Sequence, residues 1–328
     1  MGTAITGWGS ALPQHEVTSA EMESRYDLPS GWIESRTGIS ARRKADAEET
    51  TTGLAIAAGA RALEVAALDA DEIDVVIVAT CTPDVALPPT AALVQAGLGA
   101  SKAGAFDVGA ACAGFLYGLA QAHALIASGS ARRVLLCGSE IMSRSIERSD
   151  ARTAVLFGDG AAAVVVEEVA GAPGIGPFLF GSDGSQPDLL WADIGDRQIR
   201  MQGRAVYLRA VREMAAVVED LAGRVGMLIA DVDLVIAHQA NARILTGVAA
   251  QIGIPEERAY SNIARLGNTS GASIPLALCD AAAEGRLQAG HRLIVTAFGA
   301  GFLWGACCLQ WGTAASVEAE HATGGAHV

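Results

Sequence analysis

The sequence predicts an α/β protein of two pseudo-symmetric halves, each a mostly parallel mixed sheet with crossover helices. Two observations carry that reading. Apolar runs at 73–80, interrupted by Asp74, and at 134–137 alternate with stretches of helical periodicity, as strands buried on both faces and joined through helices do. The halves also repeat. With Asp74 set on Asp233, an offset of 159, Val76 meets Val235, Ile77 meets Ile236, and Val134-Leu135-Leu136 meet Leu293-Ile294-Val295 without a gap. The first half is expected to span 1–172 and the second 173–312, with a small, polar, disordered tail at 313–328.

The elements follow in order. A strand at 3–8 leads to an expected loop at 31–39, which holds Trp32 and Arg36 four residues apart. That pair either stacks on a purine and grips phosphate, or caps the core with a solvated guanidinium beside it. A helix is expected at 51–67, with Leu54, Ala57, Ala58 and Leu63 on one side. The strand at 73–80 gives way to a loop marked by Pro83, Pro88 and Pro89. A strand-like run then enters the tiny residues around Cys112, and a helix continues to about 127 through Leu116, Leu119, Ala120, His123 and Ala124. Strands follow at 134–137, 154–157 and 161–167, the last two flanking Gly158-Asp159-Gly160. That turn is weak as a phosphate motif because it opens no helix. The second half offers a long helix at 204–225, a strand at 232–237 ending in His238-Gln239-Ala240-Asn241, and a helix at 272–283. Its last strands, 293–297 and 304–311, flank Phe298-Gly299-Ala300-Gly301-Phe302.

Composition narrows the function. The 328 residues carry a net charge of −13 and no basic tract, which argues against non-specific nucleic-acid binding. Six cysteines show no CxxC or Cys/His spacing, so no metal site is expected and the setting reads as a reducing cytoplasm. No apolar run is long enough to cross a membrane.

Cys112 falls at or near a helix start, where unpaired N–H groups and the positive dipole end favour an anion such as a thiolate. The dipole offers about 0.3–1 kcal/mol, up to ~2 when partly buried, on the order of one pKa unit. The alternative is a thiol packed as a small hydrophobe. At the offset of 159, Cys112 lies opposite Gly271 and His238 opposite Ala79. If the halves pack about a twofold axis, Cys112 and 268–271 meet at the interface. His238 and Ala300 lie just past strand ends, where ligands of such sheets sit. This convergence favours the nucleophile.

Four motifs together resemble one family: Ala110-Ala111-Cys112-Ala113-Gly114-Phe115, His238-Gln239-Ala240-Asn241, Gly267-Asn268-Thr269-Ser270 and Phe298-Gly299-Ala300-Gly301-Phe302. Over 3–311 the sequence is similar to β-ketoacyl-acyl carrier protein synthase III, a thiolase-fold condensing enzyme. The resemblance implies a layered αβαβα thiolase-like fold and a triad of Cys112, His238 and Asn268. Cys112 would be acylated by an acyl-coenzyme A, with the oxyanion held by the backbone N–H of Cys112 and Ala300. A malonyl thioester would then lose carbon dioxide, its enolate held by His238 Nε2–H and the Asn268 amide. No metal or cofactor is implied, coenzyme A thioesters being substrates.

Other positions carry over singly. Trp32, Arg36 and Thr37 match the segment that holds the adenine and phosphates of coenzyme A, and Asn241 a residue of the pantetheine tunnel. Leu87 matches a residue closing the partner's acyl pocket in a homodimer, which Phe157 and Tyr207 also line. Arg243, with Arg209 and Arg212, would form the patch that docks acyl carrier protein, unless the latter two simply solvate a helix face. Three departures stand out: Ala151 replaces a second adenine-stacking arginine, leaving Arg152 as substitute, Leu208 replaces an expected basic residue, and Ala300 replaces a glycine. Two other readings are an acyltransferase on the same fold, moving the group to a hydroxyl or amine, and a non-catalytic carrier-binding homologue. Asn268 argues against the first, and the intact Cys112, His238 and Asn268 against the second.

Overall fold

The computed structural model describes residues 2–147, 149–170 and 174–312; the boundary expected at 172–173 and the tail 313–328 lie outside the described residues. The first sheet holds β1 (Gly2–Ala11), β2 (Val75–Ala79), β3 (Gly104–Val108), β4 (Arg133–Ile141) and β5 (Asp159–Val169), in the order β1-β5-β4-β2-β3. The second holds β6 (Ile175–Ser182), β7 (Leu234–Ala237), β8 (Ala259–Tyr260), β9 (Arg292–Gly299) and β10 (Leu303–Gln310), in the order β6-β10-β9-β7-β8. Order and direction match strand for strand. In each sheet two pairings are antiparallel and two parallel, so the sheets are mixed rather than mostly parallel. The reason is local: β9 returns into β10 through a three-residue turn, which permits only an antiparallel neighbour.

The helices that frame the site and the layers are α1 (Trp32–Thr37), α2 (Thr51–Ala66), α3 (Thr90–Leu98), α4 (Gly114–Ala127), α5 (Gly203–Val225), α6 (Ala242–Ile252) and α7 (Ser273–Ala283). Their buried faces set the layers. Leu116 and Leu119 of α4 and Ile274 and Leu278 of α7 share one core with Ile77 and Leu136 of the first sheet and Ile236 and Val295 of the second. These two helices therefore lie between the sheets. Helices α2 and α3 cover the outer face of the first sheet through Leu54, Ala58 and Val94. Helices α5 and α6 cover the second through Met214, Val218 and Val248. The αβαβα layering follows. Each fully buried Leu or Ile contributes roughly 1.5–3 kcal/mol, so this central layer is rigid ground for a site.

Close approach matters at β1. A Cβ on Gly7 would lie 2.2 Å from Ala62 O, so only glycine lets α2 settle onto the strand. The repeat holds in three dimensions: β2 and β7, α4 and α7, and β4 and β9 all begin 159 residues apart.

One expected element is different. Residues 154–157 do not form a strand: Ala151–Ala154 is a single helical turn, begun when the Asp150 side chain accepts the Arg152 N–H. Phe157 then makes one isolated parallel bridge, to Asn268. Among the described residues no helix is long and apolar enough to cross a membrane.

Candidate active site

Two matched turns meet where the halves join. The 3₁₀ turns Ala111–Ala113 and Ser270–Ala272 precede α4 and α7 and pack on each other. Ala111 and Ser270, 159 residues apart, both have positive φ, at 46° and 48°. For residues with a Cβ this left-handed backbone costs roughly 1–2 kcal/mol, held here by the surrounding structure. The turn sets the Cys112 thiol on the interface, with its Sγ 3.6 Å from Ser270 Oγ. Gly299 closes over it: a Cβ there would fall 2.9 Å from Cys112 N and 3.1 Å from Ala113 N.

The thiol itself differs from expectation. Burial pushes Cys112 up to about 11 from its usual 9, with Ser270 partly offsetting this. Desolvation of the thiolate outweighs the Ser270 contact, so the thiol form is favoured.

His238 follows β7 and is 2% exposed. Burial pushes it down to about 3, so the imidazole is neutral at physiological pH. Its Nδ1 lies 2.6 Å from Ser273 Oγ, and that hydroxyl already accepts the Gln239 N–H at 3.2 Å. We assign the hydroxyl proton to Nδ1, which leaves the proton of the ring on Nε2. Asn268 is held by its backbone, through Asn268 N–H to Leu156 O at 2.8 Å and Gly158 N–H to Asn268 O at 3.0 Å. Its Oδ1 accepts the Ser270 N–H at 2.8 Å, which leaves the Nδ2 amide to donate elsewhere. Two neutral donor groups, on His238 and Asn268, therefore line the same cavity as the Cys112 thiol.

Cys112, His238, Asn268 and Ala300 line one cavity of about 640 Å³. Phe157 and Tyr207 form part of its wall, and Trp32, Arg36, Thr37, Arg152, Asn241 and Arg243 also face it. Trp32 and Arg36 do not stand open as a clamp: both are on α1, and the Arg36 guanidinium covers the indole at 4.5 Å. Thr37 is buried, its hydroxyl donating to Ile33 O and accepting from Ile39 N. Asn241 caps α6 through its Oδ1, while Arg243 reaches Ser35 O at 3.0 Å. Arg152 is exposed and paired with Asp150 at 3.2 Å.

Three expected residues, Leu87, Arg209 and Arg212, lie off the cavity. Leu87 is 84% exposed. Arg209 is held between Asp183 at 2.6 Å and Glu213 at 2.7 Å, and Arg212 also pairs with Glu213. Their charges are met within the chain, so of the expected basic patch Arg243 is the member that faces the cavity.

Sequence reasoning missed Ser270, Ser273, Glu140 and Cys81. Glu140, at the end of β4, is fully buried and accepts from Thr80, Cys81, Thr82 and Gly271. A lone acid closing an apolar strand was the available signal. Asp159, by contrast, is structural: it accepts the Ala45 N–H and both donors of Ser143.

Residues 106–184 match the family described as 3-oxoacyl-[acyl-carrier-protein (ACP)] synthase III, and residues 223–311 match its C-terminal counterpart. The chain is 48% identical over 327 residues to beta-ketoacyl-[acyl-carrier-protein] synthase III 3 of Streptomyces coelicolor, covering 94% of this chain and 97% of the relative. It is similar to the crystal structure of 3-oxoacyl-[acyl-carrier-protein] synthase III from Aquifex aeolicus, with a TM-score of 0.92 and 43% identity over 94% of this chain and 100% of that one. It is also similar to the priming beta-ketosynthase from the R1128 polyketide biosynthetic pathway, with a TM-score of 0.90 and 36% identity over 94% of this chain and 96% of that one. Likeness at this level, across nearly the whole chain, means that this protein belongs to the 3-oxoacyl-[acyl-carrier-protein] synthase III family.

Proposed function

We propose that this protein condenses an acyl group carried on Cys112 with a malonyl thioester, giving a β-ketoacyl thioester. The observation that supports it most is the pairing of one thiol with two neutral donors, His238 Nε2–H and Asn268 Nδ2, on one cavity. Cys112 attacks the acyl thioester, and the tetrahedral oxyanion forms against the N–H groups of Cys112 and Ala300. The carrier thiolate leaves with the old C–S electrons and takes a proton from water. Loss of carbon dioxide from the malonyl thioester then places negative charge on its thioester oxygen, where the two donors hold it. A neutral imidazole suits this step, because an imidazolium would protonate the enolate instead. The enolate carbon attacks acyl-Cys112, and the thiolate is expelled.

The carriers follow from the lining. Trp32, Arg36 and Arg152 at the cavity mouth suit the adenine and phosphates of coenzyme A, and Asn241 the pantetheine arm. Arg243 suits an acidic acyl carrier protein. The test is sequential: acyl-coenzyme A alone should add one acyl mass to the Cys112 peptide, and a malonyl thioester should then discharge it as a β-ketoacyl product. Label on Cys81 or Cys137 instead overturns the reading.

The reading extends to a homodimer. Asp84 accepts the Thr51 and Thr52 N–H groups at the start of α2 and so fixes the base of the following loop. That loop then presents Val85 and Leu87 to solvent, 44% and 84% exposed. A fixed loop with bare apolar residues suits insertion into a second copy of this chain, where Leu87 would bound the acyl group. Leu87→Phe should shorten the longest acyl group accepted and Leu87→Ala lengthen it, by several-fold in acylation efficiency per carbon at about 0.8 kcal/mol per methylene. An active monomer on sedimentation, or an acyl profile indifferent to both changes, counts against it.

A further inference from the structure

Burial favours the thiol form of Cys112, and His238 is neutral with its proton assigned to Nε2. Something else must take the proton as the sulfur attacks. A chain of contacts leads away from it. The Cys112 thiol donates to Ser270 Oγ at 3.6 Å, Ser270 Oγ lies 3.5 Å from Cys81 Sγ, and the Cys81 thiol donates to Glu140 Oε1 at 3.1 Å. These separations are within reach of hydrogen bonds involving sulfur. All three links can point the same way, with Ser270 donating to Cys81, and the chain ends on a carboxylate.

We propose that Glu140 is the proton acceptor for Cys112, reached through Ser270 and Cys81. On attack, the Cys112 S–H bond breaks and its sulfur bonds to the acyl carbon. The proton passes to Ser270 Oγ, the hydroxyl proton to Cys81 Sγ, and the Cys81 proton to Glu140. Charge and atoms balance: the carboxylate becomes a carboxylic acid, and the carrier thiolate leaves to be protonated by water. In the acyl-enzyme the proton waits on Glu140. When condensation expels Cys112 as thiolate, the same chain returns it.

The surroundings of Glu140 suit this duty. Its donors are neutral: the Thr80 and Thr82 hydroxyls, the Cys81 and Gly271 N–H groups and the Cys81 thiol. Burial raises its carboxyl above the ordinary range, while these bonds lower it in part. Such a group binds a proton more readily than a solvated carboxylate and still releases it. The pseudo-twofold packing brings the chain together, since Ser270 and Gly271 come from the second half and Cys81, Cys112 and Glu140 from the first.

The inference rests on Cys112 being the acylated residue, and the test separates the two. Single-turnover acylation by an acyl-coenzyme A is followed by mass in wild type, Cys81→Ala and Cys81→Ser. Cys81→Ala should slow acylation on the order of 10²-fold, the scale of general acid–base assistance. Cys81→Ser keeps a hydroxyl in the gap and should restore most of the rate. Infrared difference spectra between free and acylated wild-type enzyme should gain a protonated-carboxyl band that moves in D₂O and is missing from Glu140→Gln. Should Glu140→Gln not fold, the Cys81 pair and the wild-type band still decide. Acylation of Cys81→Ala at the wild-type rate, or an acyl-enzyme without that band, overturns the relay while Cys112 remains the nucleophile. Wild-type enzyme that takes no acyl group on Cys112 overturns both.

Discussion

Cys112→Ala should take up no acyl group and form no β-ketoacyl product, while malonyl decarboxylation persists. Removing the sulfur deletes the covalent route outright. Loss of a nucleophile that works as a unit with its neighbours costs up to ~10⁶-fold in a well-studied hydrolase, so activity at the detection limit is the expectation here. Decarboxylation needs only donors for the enolate oxygen, and His238 and Asn268 do not depend on the thiol for their positions. His238 is set by Ser273, and Asn268 by Leu156, Gly158 and Ser270. The fold should also tolerate the change, since alanine keeps the Cβ and removes one atom from the cavity wall. The measurements are acyl mass on the intact protein, product formation, and carbon dioxide release from a malonyl thioester. Residual acylation of the variant at a stoichiometry near one would place the nucleophile elsewhere.

Asn268→Asp should have the complementary effect. An aspartate can still accept the Ser270 N–H, so the turn bearing Ser270 stays in place. In place of the Nδ2 donor, however, it sets a second anionic oxygen against the developing enolate. Loss of one such donor costs about 10²–10³-fold, and charge repulsion adds to it. Decarboxylation and condensation should fall by at least that factor, while acylation of Cys112 is largely kept. Equal loss in both half-reactions would contradict the division of labour. The pH dependence supplies a second check. Because burial lowers His238 to about 3, its proton count does not change between pH 5 and 8. As pH falls through that range the decarboxylation rate should therefore show no limb from imidazole protonation; a limb near the ordinary histidine value of ~6.5 would mean a solvated, titrating His238.

Much of this was legible before any coordinates. The apolar runs 134–137 and 293–297 read as strands, and both lie in strands buried along those residues. The helix after Cys112 ends at Ala127 as its spacing required. The offset of 159 recurs in the starts of matched strands and helices and in the strained pair Ala111 and Ser270. Where local signals were weak, the reading slipped. Residues 154–157 looked like a strand because they are apolar, yet Asp150 caps a helical turn there and Phe157 has one bridge partner. Trp32 and Arg36 looked like an open clamp because their spacing was read on a loop; on a helix, residues four apart stack on each other.

By itself, then, the sequence determined the alternation of elements, the internal repeat, and which cysteine, histidine and asparagine belong together. The first two are properties of residue type and spacing that periodic burial reads directly, while the grouping of the three side chains rests on the resemblance of four motifs to one family. Tertiary structure alone decided the ionisation of the site. A thiol held up at about 11, an imidazole held down to about 3, and a buried Glu140 two side chains beyond Cys112 all arise from desolvation and from partners far apart in the chain. Desolvation depends on what surrounds a group in space, and Glu140, Cys81 and Ser270 are brought together only when the two halves close.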